Sequence, residues 1–315
     1  MARSRVCTPT SQRQIRPSNL YARKRSPVRS TATLKTATHR PFDGWSLDER
    51  DPQVIDAWRP FGEWLYRYYF RVSTDGWQHL PSAGSMLIVG SHNGGMLAPD
   101  TLMFMVDWFR QFGSARPVYG LMHPNVWLLP GYAQLTVKLG AVQAHPKMAS
   151  AALKRGAAVL VYPGGAEDLW RLHKERHRIH FAGRKGFIKL ALREGVPIIP
   201  AISHGAHDTL IVLADYYPVL RQLHEWGMPW LFGLDPIVFP LYLGLPWGLA
   251  LGPWPNLPLP VPIHTRLCAP IRFDRSGRAA AQDRAYVDAC YEQVVRQMQL
   301  ELDQLVQEQS DRNWC

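Results

Sequence analysis

The chain has 315 residues, of which 46% are hydrophobic and 19% charged, and this length and composition predict one folded domain with a tail. Its formal net charge is +11, but ten Lys or Arg residues and no acidic residue precede Asp43, so the remainder is nearly neutral. This distribution argues against a nucleic-acid-binding body, and we expect no nucleic-acid partner. The four cysteines show no paired spacing, which predicts no metal site and no disulfide framework and favours a reducing compartment.

Residues 1–42 form a basic tail that is rich in Ser, Thr and Arg and has no periodic apolar run. A composition of this kind cannot bury a core, so we expect the tail to be disordered. Two functions remain open for it: an organellar transit peptide, or a basic arm held to anionic lipid. The folded domain is predicted to span residues 43–315.

An aromatic-rich helix is predicted first, because apolar residues recur at helical spacing between Val54 and Tyr68, with a bend at Pro60. Trp and Tyr prefer the headgroup level of a bilayer, which favours an interfacial helix. A helix packed in the core is the alternative.

Strands and helices then alternate along the chain. Strands are predicted at 86–90, 117–121, 157–162 and 197–203. Helices are predicted at 101–112, 124–138, 147–155 and 185–194, and a last helix at 279–308. Such alternation predicts an α/β fold with a mainly parallel central sheet flanked by helices.

Two glycine-rich turns follow predicted strands and carry the candidate chemistry. In the first, 89–100, His92 lies among glycines and Asp100 follows eight positions later. In the second, 157–167, a Pro-Gly-Gly turn leads to Glu167. Ligands bind beyond the carboxyl ends of parallel strands, so both turns are expected at one site. A His needs a carboxylate to fix its tautomer, which makes His92 a candidate general base.

Residues 226–263 form an apolar segment, and its part from 236 onward has no charged side chain. Eight prolines interrupt that part, so it is a poor transmembrane helix. Its tryptophans favour an apolar flap or re-entrant hairpin at a membrane interface. A proline-rich loop that covers the core is the alternative.

Four motifs in this order resemble the glycerolipid acyltransferase superfamily: the His92 loop, the Pro-Gly-Gly turn, the Arg-Lys-Gly helix start at 184–186, and the strand at 196–200. The chain is most similar to the branch near monoacylglycerol and type 2 diacylglycerol acyltransferases and phytyl ester synthases. The resemblance covers roughly Pro52 to Arg272 and departs from the superfamily in two places. The superfamily has His and Asp five positions apart, and its phosphate-handling branch has an Arg directly after the second turn.

The resemblance implies transfer of a fatty acyl group to a hydroxyl, without a cofactor and with acyl-CoA or acyl carrier protein as co-substrate. The implied roles are catalysis by His92 and Asp100, oxyanion or loop support by Gly94, Gly95 and Gly164, acceptor binding by Glu167, Gly165 and Arg171, and donor binding by Arg184 and Lys185. The expected partner is a lipid bilayer, with the protein peripheral or monotopic on a cytoplasmic face, or on a plastid membrane if the tail is a transit peptide.

The missing Arg favours a neutral lipid alcohol as acceptor, because Arg is the preferred bidentate phosphate ligand. Acylation of lysophosphatidate is the alternative within the superfamily. A serine esterase is the further alternative, in which His204, His207 and Asp208 complete a triad with Ser91.

Overall fold

The computed structural model describes residues 42–312 except 125, 126, 128, 129, 231, 232 and 234, so the expectations for the basic tail lie outside the described residues. A seven-stranded sheet forms the centre of the described chain, in the order β1-β10-β6-β2-β5-β3-β4. Its strands are β1 (Ser73–Asp75), β2 (Met86–Gly90), β3 (Val118–Met122), β4 (Ala141–Gln143), β5 (Ala158–Val161), β6 (Ile198–His204) and β10 (His264–Leu267). Only β10 against β6 is antiparallel in this sheet. The predicted α/β fold with a mainly parallel centre is confirmed.

Helices cover both faces of this sheet. They are α1 (Pro52–Trp64), α2 (Pro99–Phe112), α3 (Pro130–Lys138), α4 (Pro146–Lys154), α5 (Gly165–Leu169), α6 (Gly186–Glu194), α7 (Tyr217–Glu225), α8 (Arg278–Gln282) and α9 (Arg284–Arg312). The four predicted strands and their helices are present within a few residues, except that the helix predicted at 124–138 is described only from Pro130, because part of 125–129 lies outside the described residues. The predicted last helix is two helices, because Asp283 is extended (φ −72°, ψ 105°).

The core lies on both sides of β2, whose alternate side chains point to opposite faces. Leu87 and Val89 pack with α4, α6 and α9, while Met86 and Ile88 pack with α2. All four side chains are fully buried. A strand buried on both faces reads as a continuous apolar run, which is why β2 is visible in the sequence.

α1 divides its side chains between the core and the surface. Ile55 is fully buried, whereas Phe61 and Trp64 are 55% and 49% exposed. Asp51 caps the helix by accepting the backbone N–H of Gln53 at 3.0 Å. After Trp64 the chain continues as one π-helical stretch, Leu65–Tyr69, so the helical segment ends where the sequence predicts.

Part of the apolar segment 226–263 folds as a β-hairpin, and neither a helix nor an irregular loop describes it. β8 (Pro240–Gly244) pairs with β9 (Gly248–Leu251), and β7 (Ile211–Asp215) completes a second, antiparallel sheet. Large apolar side chains of this hairpin are exposed, including Trp247 at its turn and Leu249. Within the described residues, no helix combines the length and the apolar character that crossing a bilayer requires.

Candidate active site

His92 and Asp100 meet in the loop between β2 and α2 despite their eight-residue spacing. The imidazole Nδ1 lies 3.0 Å from Oδ2 of Asp100, which is the second residue of α2. Gly94 and Gly95 allow the tight turn, with φ of +88° and +72°. A Cβ on Gly94 would lie only 2.5 Å from Oγ1 of Thr209, so the loop also needs glycine for close packing.

Asp100 is buried and its carboxylate is held by the loop that it organises. Oδ2 also accepts the backbone N–H of Asn93 at 2.9 Å, and Oδ1 accepts the backbone N–H of Thr101 at 2.6 Å. Both oxygens therefore have a fixed acceptor role. The carboxylate can orient His92 without rotating away.

The surroundings of His92 favour its cation. Burial lowers the pKa of His92, but the Asp100 carboxylate outweighs this effect with help from Asp168, so the pKa lies above 6.5. The ring stacks on Tyr162, with centroids 4.4 Å apart and planes at 22°. With Nδ1 on Asp100, Nε2 is the nitrogen left to take a proton from a substrate.

Asp168 is a second carboxylate at the site and lies directly beneath His92. It is fully buried and accepts the backbone N–H of His92 at 2.5 Å, the Ser91 hydroxyl at 3.3 Å, and Nη1 of Arg171 at 2.6 Å. Burial raises the pKa of Asp168 to about 7, although Arg171 and the His92 N–H act to lower it. Asp168 thus fixes the backbone that carries the imidazole.

Arg171 belongs to this buried network. Its side chain is 4% exposed, and its Nη2 donates to Oδ1 of Asn93 at 3.3 Å. His207 closes the network, with Nδ1 2.6 Å from the same Asn93 oxygen and Nε2 2.9 Å from the Arg171 carbonyl oxygen. The structure therefore places Arg171 in a buried ion pair with Asp168.

Arg171 is the one residue assigned to acceptor binding that belongs to this network. Glu167, Arg184 and Lys185 form their contacts elsewhere, and two of them bind each other. Arg184 Nη2 lies 3.2 Å from Oε1 of Glu167, both half-exposed, and its Nη1 donates to the carbonyl of Gly164. Lys185 pairs with Asp288 of α9 at 2.9 Å.

Glycine is required at two positions of the second turn for different reasons, backbone conformation at Gly165 and close packing at Gly164. Gly165 adopts φ +58°, which favours glycine. A Cβ on Gly164 would lie 2.2 Å from the Asp168 Cβ, so any larger residue would push that carboxylate out of place.

The groups of the esterase alternative are not assembled into a triad. Ser91 donates to Asp168 and not to a histidine. Asp208 binds His173, with 2.7 Å between Oδ1 and Nε2, while His207 contacts Asn93. The His–Asp pair that would activate Ser91 in such a triad is therefore absent from its hydrogen bonds in the described structure.

A cavity of about 610 Å³ opens beside His92. Its wall comes from α1, α2, α3 and the ends of β3 and β5, and includes Tyr162 and Leu169. Among the described residues that line it, none is Asp, Glu, Lys or Arg. The volume falls within the ~300–1,000 Å³ typical of ligand sites. An uncharged cavity that reaches a His–Asp pair suits an apolar chain whose reactive end stops at His92.

Residues 63–310 match the family described as diacylglycerol acyltransferase, which is more than half of the chain. The chain belongs to the diacylglycerol acyltransferase family. This membership confirms the resemblance that the four motifs indicate.

Three curated proteins and one solved structure illustrate what the chain is similar to. An uncharacterized protein of Mycobacterium tuberculosis is 30% identical over 218 residues, or 66% of this chain and 59% of that protein. The human 2-acylglycerol O-acyltransferase 3 is 24% identical over 221 residues, or 67% of this chain and 62% of that protein. The Bos taurus diacylglycerol O-acyltransferase 2 is 29% identical over 150 residues, or 44% and 38%. The crystal structure of a 1-acyl-sn-glycerophosphate acyltransferase, PlsC, from Thermotoga maritima superposes with a TM-score of 0.46 at 15% identity, covering 79% of this chain and 80% of that one. The chain spans about three fifths of the mycobacterial relative's length.

In this member of the diacylglycerol acyltransferase family, the sequence patterns miss the acid that supports the loop. Asp168 directly follows Glu167, and only the phase of α5 decides which of the two is buried. Asn93 is missed for a similar reason, since a polar residue in a glycine-rich loop gives no sign of burial. Both are visible only when the second turn is packed against the first.

Proposed function

We propose that this protein is a membrane-associated O-acyltransferase that moves a fatty acyl group from a thioester donor to the hydroxyl of a neutral lipid alcohol, such as diacylglycerol, monoacylglycerol or an isoprenoid alcohol. One observation carries the proposal: the His92–Asp100 pair faces a large cavity without charged side chains. The donor is acyl-CoA or acyl carrier protein, and no further cofactor enters the mechanism.

His92 acts as the general base in this mechanism. Nε2 takes the proton of the acceptor hydroxyl as that oxygen attacks the thioester carbonyl. The tetrahedral intermediate then collapses, the C–S bond breaks, and the thiolate recovers the proton from His92. Asp100 holds the ring in the tautomer with Nδ1–H and stabilises the imidazolium between the two steps.

The oxyanion of the intermediate needs an N–H donor that is not already engaged. The backbone N–H groups of His92 and Asn93 bind carboxylates, and that of Gly95 donates to the Leu169 carbonyl at 3.4 Å. The N–H of Gly94 has no acceptor among the described residues. The N–H of Gly164 likewise has no acceptor among the described residues, so Gly94 and Gly164 are the two glycines whose N–H groups are available for this role.

The neutral acceptor follows from the cavity's lack of charge. A phosphate dianion buried there would meet no Lys or Arg side chain among the described lining residues, which is costly. Arg171, the first basic residue after the second turn, is already paired with Asp168. A hydroxyl requires only the His92 base and an apolar channel for its chains.

Membrane association follows from the rim of the same cavity. Phe61, Trp64, Leu97 and Leu257 all line the cavity, and each is at least 38% exposed. An exposed apolar rim of this kind marks an interaction site, and a bilayer that covers it lets a lipid enter the cavity without crossing water. The hairpin turn at Trp247 adds a further apolar surface.

The decisive experiment incubates the purified chain in detergent with labelled acyl-CoA and a panel of acceptors. We expect diacylglycerol, monoacylglycerol or a long isoprenoid alcohol to give a higher kcat/KM than lysophosphatidate, and His92→Ala to give only background. If lysophosphatidate is preferred by tenfold or more (~1.4 kcal/mol in transition-state free energy), the neutral-acceptor assignment is wrong. Hydrolysis without transfer to any acceptor would favour the esterase alternative.

A further inference from the structure

Residues 173–185, here called the basic segment, carry a concentration of positive charge that the mechanism above does not use. They include five Lys or Arg residues, three His residues and one acidic residue, Glu175. The segment starts a few residues after α5 and ends at α6.

The basic segment lies beside the candidate active site. It returns to the second turn, where a Cβ on Gly164 would lie 2.5 Å from the carbonyl oxygen of His180. Gln299 of α9 holds its backbone, accepting the N–H of Ile179 and donating to the carbonyl of His177, both at 2.9 Å. The segment is thus fixed at the sheet edge where His92 lies.

Two of its cations have no partner in the described chain. Arg184 and Lys185 form ion pairs with Glu167 and Asp288. Lys174 and Arg178 are exposed, and neither belongs to an ion pair among the described residues. The charge of these two side chains is available for an anion.

Arg176 adds to the positive charge of the basic segment, because the carboxylate that it pairs with, Asp208, is also bound by His173. Its Nε lies 3.7 Å from Asp208, which His173 already contacts at 2.7 Å. The pKa of His177 is lowered by burial, and then by Arg176 and the ring of His204 stacked on it. The charged form of His177 is therefore disfavoured, and Lys174 and Arg178 are the two Lys or Arg side chains of the segment that form no ion pair among the described residues.

We propose that Lys174 and Arg178 dock the phosphates of the acyl donor's coenzyme A headgroup. The proposal rests on the proposed function, because a thioester that reacts at His92 must keep its anionic end outside an uncharged cavity. Arg is well suited to bidentate phosphate contacts and Lys to a point-charge contact. Arg184 and Lys185, which the sequence resemblance favours for the donor, are already paired.

The test is the double variant Lys174→Gln/Arg178→Gln, with Lys147→Gln on α4 as an exposed control. We expect the KM for acyl-CoA to rise tenfold or more in the double variant while kcat stays within twofold. The KM for the same acyl group on pantetheine, which lacks the nucleotide phosphates, should not change. Raising salt from about 0.05 M to 0.5 M should raise the acyl-CoA KM of the wild type but not of the double variant.

A binding measurement separates this proposal from the proposed function. Calorimetry with unacylated coenzyme A on His92→Ala should show binding that Lys174→Gln/Arg178→Gln abolishes. If the chain binds coenzyme A in this way but transfers no acyl group, the docking site stands and the proposed function fails. Unchanged coenzyme A affinity in the double variant would overturn the docking site, as would an equal KM increase with acyl-pantetheine. A loss seen only with acyl carrier protein would also overturn it.

Discussion

Replacing Asp100 by Asn tests the His–Asp pair with the smallest change in shape. In the structure both carboxylate oxygens accept backbone N–H groups, Oδ2 from Asn93 and Oδ1 from Thr101. An amide must place its NH₂ at one of these two positions. At either one, a donor then faces a donor at 2.6–2.9 Å.

Each orientation of the new amide carries its own penalty. With NH₂ towards Asn93, it donates to Nδ1 of His92 and moves the ring proton to Nε2, so the base is lost. With NH₂ towards Thr101, the ring keeps its tautomer, but the imidazolium loses its negative partner. We therefore expect kcat to fall by ~10²–10⁴, which corresponds to ~3–5 kcal/mol. The repelled donor should lower the free energy of unfolding by about 1–3 kcal/mol.

The pH profile identifies the cause of the loss. Asp100 raises the pKa of His92, and the base works only when neutral, so wild-type activity should rise with pH through a midpoint above 6.5. Without the carboxylate the cation is less stable, so any residual activity should have its midpoint at lower pH. The assay is kcat/KM against pH, with thermal unfolding in the same detergent.

Two controls make this outcome interpretable. Asp48→Asn removes an exposed carboxylate that pairs with Arg155 at the surface, and should leave activity and Tm near wild type. His92→Ala/Asp100→Asn should be no less active than His92→Ala, because the two residues act as a unit. Asp100→Asn with activity within threefold of wild type and an unshifted profile would refute the assignment of Asp100 as partner.

Three further predictions follow from the same geometry. Ser91→Ala should keep most activity, and a fluorophosphonate should not label Ser91, since the hydroxyl binds a carboxylate; labelling there would support an esterase. Gly90→Ala should cost roughly 10²-fold in kcat, because its Cβ would lie 2.4 Å from Cε1 of Tyr162 and displace the ring stacked on His92; normal kcat with an ordinary fold would contradict this. Trp247→Ser/Leu249→Ser should weaken sedimentation with lipid vesicles while the far-ultraviolet CD spectrum is unchanged, and undiminished vesicle binding would show that the hairpin turn does not contact lipid.

Local sequence patterns predict the centre of the fold well. β2, β5 and β6 are continuous apolar runs because both of their faces are buried, and such runs stand out in any sequence. The candidate catalytic residues of the first loop, His92 and Asp100, are also visible, since glycines and a carboxylate mark them.

Elements that depend on distant partners are less visible. β7, β8 and β9 are missed because each has one exposed apolar face, so the inside–outside alternation that normally reveals a strand is absent. β10 is held in the sheet by pairing with β6 and β1, which are distant in sequence, so its local sequence does not reveal it. In the sequence Arg171 resembles a ligand-binding residue. Only the packing of α5 against the first loop shows that its guanidinium forms an ion pair with Asp168.

His92 and Asp100 can meet across eight residues because the position of the imidazole is set by contacts other than the number of residues between them. Two carboxylates accept hydrogen bonds from consecutive backbone N–H groups. Asp168 accepts the N–H of His92, and Asp100 accepts the N–H of Asn93. Since Asp168 comes from a different element, the first half of the loop is fixed whatever the length of the second half. The extra residues, Gly94 and Gly95 among them, are then free to turn towards α2 and bring Asp100 back to the imidazole.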